Sequence, residues 1–311
     1  MSTRSVSNPA SIVVIGSLNM DLVARTARLP QPGETLHGDS FATVPGGKGA
    51  NQAVAAARAG AQVAMIGRVG ADAYGARLRE ALRGDGIDCQ GVGEEHGVPT
   101  GVAMILVDHA SQNSIVIVAG GNGTLAPAHI DAASALLEGC AVVVCQLEVP
   151  QETVGYALAR AHALGKTVIL NPAPASQLPS AWYTWVDYLI PNESEAQALA
   201  AVPAQGSPSA EQAGRALLAK GVRHVLLTLG GEGVLHVSAE GAQHFPAYPV
   251  AARDTTAAGD TFIGAFAAAL ARGEAPAAAI HFAQKAAALS VTREGAQPSI
   301  PYRAEVQAWN P

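Results

Sequence analysis

The chain has 311 residues, of which 49% are hydrophobic and 14% are charged, and its formal net charge is −6. This length suits a single large α/β domain with a substantial core, while the acidic balance and the lack of a basic run argue against a nucleic-acid partner. The polar residues 1–10 do not resemble a secretory signal, and no apolar run approaches the roughly 18 residues of a membrane helix, so we expect no membrane partner.

The first apolar run, at residues 11–16, is β-branched and ends in glycine, which predicts a central parallel strand. Asn19 and Asp21 follow at its carboxyl end, the edge at which open α/β sheets bind ligands. Because the two residues alternate, both can face one ligand. As ordinary turn-forming residues they also fit a plain loop, and the pattern alone does not separate these interpretations.

Two segments with β character interrupt the helical pattern. Residues 22–44 lack helical periodicity and contain two prolines, and residues 99–118 alternate around a polar turn, which is a hairpin signal. We therefore predict a small β lid, formed from about residues 17–45 and 97–119, inserted within a single α/β domain that spans 1–311. Its exposed face would cover substrate, pair with a second subunit, or do both.

A glycine-rich turn lies between these segments. Residues 46–51 read Gly-Gly-Lys-Gly-Ala-Asn, and small residues of a predicted helix follow. The paired glycines allow backbone to approach a ligand closely, and Lys48 and Asn51 can donate to hydroxyls. The phosphate loop of nucleotide hydrolases needs wider glycine spacing and a Lys-Ser/Thr pair, so this turn is a different motif. Alone it is weak evidence of function.

Strand-like and helix-like runs then alternate, which predicts a parallel sheet covered by helices on both faces. The strands are predicted at 63–66, 141–144, 168–170, 188–190 and 225–229, and the helices at 72–83, 150–164 and 210–220. Several strand ends carry polar or glycine-rich clusters, which would meet at one sheet edge: Asn19 and Asp21, Glu148, Asn192 and Glu195, and residues 228–233.

No internal repeat or linker divides the chain, and the Pro/Ser-rich residues 203–209 predict a surface loop. Cys89, Cys140 and Cys145 show no metal-ligand spacing, and two of them lie in apolar contexts. They indicate free buried thiols in a reducing compartment, so we expect a cytoplasmic protein.

The segment 254–266 reads Asp-Thr-Thr-Ala-Ala-Gly-Asp-Thr-Phe-Ile-Gly-Ala-Phe and predicts a loop that opens a buried helix. Thr255 and Thr256 are favourable helix caps, and the bare turn after them would present free N–H groups and the positive helix end to an anion. Asp260 in that turn would repel phosphate, but it could take a proton from a hydroxyl that attacks a phosphoryl group. The alternative is an ordinary helix start with an acidic residue in its first turn.

At these residues the chain resembles the carbohydrate-kinase family that includes ribokinase, phosphofructokinase B and adenosine kinase. Residues 46–53 resemble its amino-terminal signature, Asp254 to Phe266 its carboxyl-terminal signature, and Asn192-x-x-Glu195 its metal-and-phosphate motif. The similarity runs from about residue 12 to 301 and includes stretches typical of ribokinases at 171–175 and 295–299.

The resemblance implies a ribokinase-like α/β fold and ATP-dependent phosphorylation of D-ribose at the 5-hydroxyl, giving ribose 5-phosphate and ADP. The alternative within the family is a sister kinase for 2-deoxyribose, another sugar or a nucleoside. A non-catalytic sugar- or nucleotide-binding protein is the alternative from another class. A dinucleotide dehydrogenase is disfavoured because the first strand ends in Gly16-Ser17-Leu18-Asn19 without the glycine fingerprint.

The resemblance also assigns roles to residues. Asp260 would be the general base on the sugar's primary hydroxyl, and Ala257, Ala258 and Gly259 with the Asp260 amide would form the anion hole. The sugar would be held by Asn19, Met20, Asp21, Gly47, Lys48, Gly49, Ala50, Asn51 and Glu148. The ATP site would be lined by Asn192, Thr228, Leu229, Gly230, Gly231, Glu232, Gly233, Gly259 and Gln284. Met20 and Gln284 occupy positions that vary among relatives, and Met20, which would lie near the sugar, leaves the exact sugar open.

Two cations are implied in the same way. Glu195 would act through water on Mg²⁺ near the phosphates, since Mg²⁺ usually retains its waters. A K⁺ site would take side-chain oxygens from Asp254 and Ser299, and backbone carbonyls from Thr256, Ser290, Arg293 and Gly295. That ion would order the loop beside the anion hole without touching substrate. The expected partners are a small sugar, ATP and a second copy of the chain that pairs through the lid.

Overall fold

The computed structural model describes residues 11–110, 112–200 and 209–310, so most of the predicted loop at 203–209 lies outside the described residues. Within these ranges the strands, in chain order, are β1 (Ser11–Ile15), β2 (Asn19–Arg25), β3 (Ser40–Gly46), β4 (Gln62–Gly70), β5 (Asp88–Glu95), β6 (Gly101–Val107), β7 (Asn113–Val118), β8 (Val142–Cys145), β9 (Thr167–Leu170), β10 (Tyr188–Leu189), β11 (His224–Thr228), β12 (Val234–Ser238) and β13 (Gly241–Phe245).

The helices over the same described residues are α1 (Lys48–Arg58), α2 (Ala73–Gly84), α3 (Pro127–Ala132), α4 (Ser134–Gly139), α5 (Gln151–Ala163), α6 (Trp182–Trp185), α7 (Glu193–Ala200), α8 (Ala210–Leu218), α9 (Ala258–Ala271), α10 (Pro276–Ser290) and α11 (Arg303–Ala308). Short 3₁₀ turns lie at Gly120–Thr124, Gly230–Glu232 and Gln297–Ser299. Within these described ranges, no helix is both long enough and apolar enough to cross a membrane.

A nine-stranded sheet in the order β13-β12-β11-β10-β9-β8-β1-β4-β5 forms the centre of the molecule. Its strands run parallel from β11 to β5, and β12 and β13 add an antiparallel hairpin at one edge. The prediction of a mostly parallel central sheet in an α/β fold is therefore confirmed.

Both faces of this sheet are covered, and β1 shows why. Ile12 and Val14 pack into the hydrophobic cluster that includes Phe262 of α9, whereas Val13 and Ile15 pack into the opposite cluster with Leu158 of α5. A strand buried on both faces has no polar face, which is why its sequence is a continuous apolar run.

A separate four-stranded sheet, in the order β3-β2-β6-β7, is built from the two interrupting segments. The predicted hairpin is confirmed by the antiparallel pairing of β6 with β7. Arg77 of α2 anchors the sheet by donating from Nη1 to Thr43 Oγ1 at 2.6 Å and from Nη2 to Thr43 O at 2.9 Å. Large apolar side chains stay exposed on it: Phe41, Met104, Ile115, Val116, Ile117 and Val118.

The carboxyl ends of the parallel strands bring polar residues to one edge of the large sheet. Ser17 follows β1, Gln146 follows β8, Asn171 follows β9, and Asn192 follows β10. Helix α9 packs against α1 at the same edge, and the close approach requires Gly264, where a Cβ would overlap the carbonyl oxygen of Gln52. The beginnings of α1 and α9 are thereby held beside the strand ends.

Candidate active site

The beginning of α9 is a bare turn, but it is not capped by threonine as the sequence suggested. Its N-cap is Ala257, which adopts the left-handed conformation with φ 58° and makes no side-chain cap. Thr256 lies one residue before this cap, and its N–H and hydroxyl both donate to Asp254 Oδ1, at 2.9 and 2.6 Å. A left-handed alanine costs roughly 1–2 kcal/mol, so this turn holds a strained conformation.

Two backbone donors remain free in this turn. The N–H of Ala258 donates to Thr255 O at 3.2 Å and that of Thr261 to Ala257 O at 2.8 Å. Among the described residues, no acceptor takes the N–H of Gly259 or Asp260. Gly259 is exposed and lines two cavities, and a Cβ there would meet nothing within 4 Å, so the turn is open to a ligand. Free amides at the positive end of a helix make a site for an anion.

The carboxylate of Asp260 is buried and held by two consecutive amides of α1. Oδ2 accepts from Asn51 Nδ2 at 3.1 Å, and Oδ1 accepts from Gln52 Nε2 at 2.9 Å. Asn51 is 6% exposed, and its own Oδ1 has no partner. A buried amide oxygen without a donor is unfavourable, so this side chain is suited to accept a hydroxyl from a ligand.

The first turn of α1 is clamped to the end of β1. Glu148 Oε2 accepts from Ser17 Oγ at 2.5 Å and from Lys48 N at 3.1 Å. The N–H of Gly49 donates to Ser17 Oγ at 3.2 Å, and that of Ala50 donates to Ser17 O at 2.9 Å. Because these amides are occupied, Gly49 and Ala50 support the turn and do not offer free donors to a sugar.

The paired glycines before α1 make room for polar side chains. A Cβ at Gly46 would overlap the Asp21 carboxylate, and one at Gly47, whose φ is 90°, would lie 2.7 Å from Asn19 N. The sequence suggested that these glycines admit a ligand to the backbone. In the structure they admit β2, which carries the predicted sugar-binding residues.

Strand alternation divides the predicted residues of β2 into two sets. Met20 is fully buried in the hydrophobic core, so its predicted place in the sugar site would be limited to its backbone. Asn19 lies on the other side, where its Oδ1 accepts from Asn122 Nδ2 at 2.7 Å. Asn122 is itself fixed by the N–H of Leu18, which donates to Asn122 Oδ1 at 2.8 Å. The Asn19 amide is therefore oriented with its NH₂ free to donate to a ligand.

Several carboxylates lie near the side chain of Lys48. Burial, and then the nearby carboxylates of Glu148 and Asp260, raise the pKa of Asp21 to about 7. Burial acts to lower the pKa of Lys48, but the carboxylates of Asp260, Glu148 and Glu195 outweigh it and raise that pKa. The lysine is thus a charged donor inside an acidic pocket.

Two adjoining cavities meet at the beginning of α9. The larger is about 700 Å³ and the smaller about 230 Å³, and Asn192, Thr228, Ala258 and Gly259 line both. Lys48 and Asp260 line only the smaller cavity. The free backbone N–H groups of Gly259 and Asp260 therefore lie between the smaller, polar cavity and the larger, mostly apolar cavity.

Most of the predicted nucleotide residues line the larger cavity, namely Asn192, Thr228, Gly230, Gly231, Gly233, Gly259 and Gln284. The side chain of Leu229 instead packs against the hydrophobic core, and the carbonyl of Glu232 bonds with the Nε2 atom of His244 at 2.8 Å. The glycine-rich turn thus contributes mainly backbone and small residues to the cavity wall.

Comparison with known proteins agrees with this geometry. The family profile for pfkB family carbohydrate kinases matches residues 9–303. The chain belongs to the pfkB family.

The chain is 44% identical over 307 residues to a ribokinase of Schizosaccharomyces pombe, covering 95% of this chain and 96% of that protein. It is 40% identical to a deoxyribokinase of Salmonella typhimurium, covering 93% of this chain and 95% of that protein. The structure of Arabidopsis thaliana ribokinase complexed with ribose and ATP has a TM-score of 0.87, at 33% identity and with 96% and 97% of the two chains covered.

The Asn192-x-x-Glu195 motif of this pfkB protein forms a reciprocal pair at the start of α7. The N–H of Asn192 donates to Glu195 Oε2 at 2.8 Å, and the N–H of Glu195 donates to Asn192 Oδ1 at 2.9 Å. Burial raises the pKa of Glu195, opposed by the Asn192 bond and by Lys48. Its carboxylate lines the smaller cavity. The described residues contain no group of three or more His, Cys, Asp or Glu side chains that could hold a metal by themselves.

The loop before α9 is hydrogen-bonded to the segment that precedes the 3₁₀ turn at Gln297–Ser299. Asp254 Oδ2 accepts from Gly295 N at 2.9 Å, and its Oδ1 accepts from Thr256. Burial acts to raise the pKa of Asp254, but these hydrogen bonds outweigh it and lower that pKa. The carboxylate is therefore charged at neutral pH. Of the other predicted cation ligands, Thr256 lies beside Asp254, and the rest lie between the end of α10 and this 3₁₀ turn. There Ser290 O accepts from Arg293 N at 3.0 Å, and Ser299 Oγ donates to Ala296 O at 2.8 Å.

The sequence analysis assigned no role to four side-chain amides that orient the predicted site residues Asp260 and Asn19. Gln52 and Asn122 hold Asp260 and Asn19, and Gln146 and Asn171 hold Gln52 in turn. Their positions in the sequence could have indicated this role, because Gln146 and Asn171 each follow a strand and Gln52 adjoins Asn51 in the glycine-rich motif.

The raised pKa of Asp21 predicts a stability cost in the sugar-free protein. Its folded pKa of about 7 exceeds the usual 3.8, so stability is complete below pH 4 and falls as pH rises towards 7. We expect Asp21→Asn to remove this loss and to be more stable than the parent at pH 8, by up to about 4 kcal/mol at about 1.4 kcal/mol per pKa unit.

Urea unfolding of the sugar-free protein between pH 4 and pH 8 measures this difference. Asp39→Asn, which alters an exposed carboxylate, is the control and should follow the parent. An Asp21→Asn variant no more stable than the parent at pH 8 would show that the buried carboxylate costs the fold nothing.

Proposed function

We propose that this chain is an ATP-dependent kinase that phosphorylates D-ribose at its 5-hydroxyl, giving ribose 5-phosphate and ADP. One observation carries the proposal: the free amides of Gly259 and Asp260 stand in the same helical turn as the buried Asp260 carboxylate. Anion donors and a proton acceptor at one point are what transfer of a phosphoryl group to a hydroxyl requires. The ribokinase relatives, at about 40% identity over nearly the whole chain, support ribose as the acceptor.

The residues would divide the reaction as follows. The sugar hydroxyl gives its proton to Asp260 as its oxygen bonds to the γ-phosphorus, and the bond to the ADP oxygen breaks. The amides at the start of α9 take the charge on the phosphoryl oxygens, which is where such transfers need stabilisation. Holding the hydroxyl and phosphoryl group in line supplies much of the remaining rate.

The sugar would lie between β2 and the start of α1. A carboxylate can accept two adjacent hydroxyls, so Asp21 would read the neighbouring hydroxyls of a furanose. The oriented NH₂ of Asn19 would donate to a sugar oxygen, and Asn51 Oδ1 would gain the donor it lacks. Lys48 and Glu148 would complete this polar shell.

ATP would occupy the larger cavity. Apolar residues including Val250 and Ala287 form much of its wall, which suits a base, while Thr228 lines both this cavity and the smaller one that holds Asp260. Gln284 is buried with its Oε1 unpartnered, so it offers an acceptor to the nucleotide. A volume of about 700 Å³ is within the range of cofactor-sized pockets.

Mg²⁺ fits Glu195 as one carboxylate ligand acting through water. A lone carboxylate with ATP phosphates matches the way Mg²⁺ usually binds, with several waters retained. When bound, the ion would neutralise phosphate charge. Glu195 would hold it at the smaller cavity, beside Lys48.

K⁺ fits the loop that ends in the anion hole. Asp254 supplies a charged carboxylate, and Ser299 with the carbonyls of Thr256, Ser290, Arg293 and Gly295 would complete an oxygen-only shell. Arg293 is positively charged, so only its carbonyl would serve. The ion would act by fixing residues 254–257, which set the position of the free amides.

The four-stranded sheet would act as the lid and as a dimer contact, with the lid drawn from about residues 17–45 and 97–119. Strand β7 is exposed along its whole length, and Val116 is 57% exposed. An edge strand with exposed apolar side chains is a surface that a second copy would cover. The three buried free thiols fit a cytoplasmic location.

A deoxyribose kinase is the second candidate, because the Salmonella typhimurium relative is 40% identical over 291 residues. The Asp21 carboxylate and Asn19 amide favour a sugar with adjacent hydroxyls. They therefore support ribose over its 2-deoxy analogue.

Replacing the proposed base gives the first test of the mechanism. Asp260→Asn keeps the shape and the amide donors but cannot accept the proton, so we expect kcat to fall by at least about 10²–10⁴-fold with sugar binding retained. Steady-state kinetics and calorimetric titration with ribose measure both quantities. Asp131→Asn, at an exposed carboxylate bonded by Tyr156, should keep the parental kcat, and near-normal turnover by Asp260→Asn would reject the base.

The substrate follows from comparing kcat/KM for ribose and 2-deoxyribose. A site built to bond a hydroxyl rejects its absence by as much as about 10⁴-fold, so we expect ribose to be preferred. A preference for 2-deoxyribose would move the assignment to the second candidate.

The cation proposal predicts that activity rises when a large organic cation is replaced by K⁺ at fixed ionic strength. Asp254→Ala removes the charged ligand and should flatten this response. An equal rate in both salts for the parent protein would reject the site.

The lid proposal predicts a dimer that a charge on β7 weakens. Val116→Asp should shift sedimentation velocity towards the monomer, because a buried unpaired carboxylate opposes association. Ala110→Asp places the same charge in the lid turn, outside the apolar surface, and serves as the control. A parent protein that sediments as a monomer at all concentrations would exclude the dimer.

A further inference from the structure

We propose that Gln52 is a positioning residue that fixes the Asp260 carboxylate and reserves its Oδ2 atom for the sugar hydroxyl. The inference rests on the proposed role of Asp260 as general base. The inference identifies which Asp260 oxygen takes the proton and which buried side-chain amides orient the carboxylate.

The contacts of Gln52 place it behind the carboxylate. Its Nε2 donates to Asp260 Oδ1 at 2.9 Å and to Asn171 Oδ1 at 3.3 Å, and the residue is fully buried. The absence of a side chain at Gly264 lets α1 lie close enough to α9 for this contact. Solvent therefore cannot replace Gln52 as the partner of Oδ1.

The orientation of this amide is set by its neighbours. Gln146 Nε2 donates to Gln52 Oε1 at 2.6 Å, and Asn171 Nδ2 donates to Ile190 O at 3.0 Å, which turns Asn171 Oδ1 towards Gln52. Flipping the Gln52 amide would set its oxygen against two other oxygens and its NH₂ against that of Gln146. The chain Gln146, Gln52, Asp260 thus has a single favourable direction of donation.

The two carboxylate oxygens consequently differ. Oδ1 is engaged by a buried amide that cannot move, whereas Oδ2 is engaged by Asn51, whose unpartnered oxygen shows that its shell is incomplete. A sugar hydroxyl donating to Oδ2 can also be met by Asn51. In the reaction the hydroxyl proton passes to Oδ2, its oxygen bonds to the γ-phosphorus, and the bond to ADP breaks, while Oδ1 keeps the Gln52 donor throughout.

The test is a double-mutant cycle. Gln52→Met keeps the side-chain length and removes the donor, and we expect kcat to fall roughly 10- to 100-fold, the range for a hydrogen bond to a charged group. The KM values for ribose and ATP should change less than about 3-fold, because Gln52 touches neither substrate. In the Asp260→Asn background the same substitution should change kcat less than about 3-fold, since a residue that acts through Asp260 has no effect without it.

A second variant keeps the proposal testable if Gln52→Met does not fold. Gln146→Met leaves Gln52 in place but removes one of the groups that orient its amide, and it should lower kcat by about 3- to 10-fold with the same dependence on Asp260. Thermal unfolding of each variant reports whether it is folded.

The inference is overturned if a folded variant keeps the parental kcat, or if its loss is as large in the Asp260→Asn background as in the parent. Either result, together with a strongly reduced but measurable kcat in Asp260→Asn, leaves the kinase proposal standing. Parental turnover by Asp260→Asn itself would instead refute the base, whatever Gln52 does.

Discussion

The site depends on the close packing of α1 against α9. Gly264 lacks the side chain that would overlap the backbone at Gln52, so the two helices approach until the amides of Asn51 and Gln52 reach Asp260. Each helix beginning also serves a second purpose. The first turn of α1 is bonded to Ser17 and Glu148, and the first turn of α9 keeps its amides free. One helix is thus an anchored support, and the other presents unsatisfied donors.

The parts of the fold that could be predicted from sequence are those with a clear local pattern. The central strands were predictable because continuous β-branched runs between turns have few other uses, and the lid hairpin because its apolar residues alternate. The antiparallel edge strands β12 and β13 and the helix α10 were not foreseen. Residues 276–290 are mostly alanine and other apolar residues, so the helix has no clear polar face to reveal its period.

The site was predictable in its reactive groups and not in their supports. Asp260, Asn51 and Gln52 all belong to short motifs, but neither motif reveals the contact between Gln52 and Asp260, which lie 208 positions apart in the chain. The expected threonine cap failed for a related reason, because Thr256 is committed to Asp254, whose other oxygen is bonded by Gly295, 41 positions away. A local pattern shows which residues are able to cap or donate, but tertiary contacts decide which of them are free to do so. The glycines at 46 and 47 show the same limit, since the side chains they accommodate lie on β2.

The charges of the pocket bear on how its two substrates enter. The carboxylates of Asp260, Glu148 and Glu195 lie near Lys48, and burial, together with repulsion from Glu148 and Asp260, raises the pKa of Asp21 to about 7. A neutral sugar can enter without adding charge, and its hydroxyls can donate to Asn51 Oδ1, which has no other donor among the described residues. A polyphosphate adds several negative charges near carboxylates, where one lysine and two amides offset only part of the repulsion. The charge distribution of this chain therefore supports, independently of any relative, the proposal that a cation held by Glu195 accompanies the phosphates.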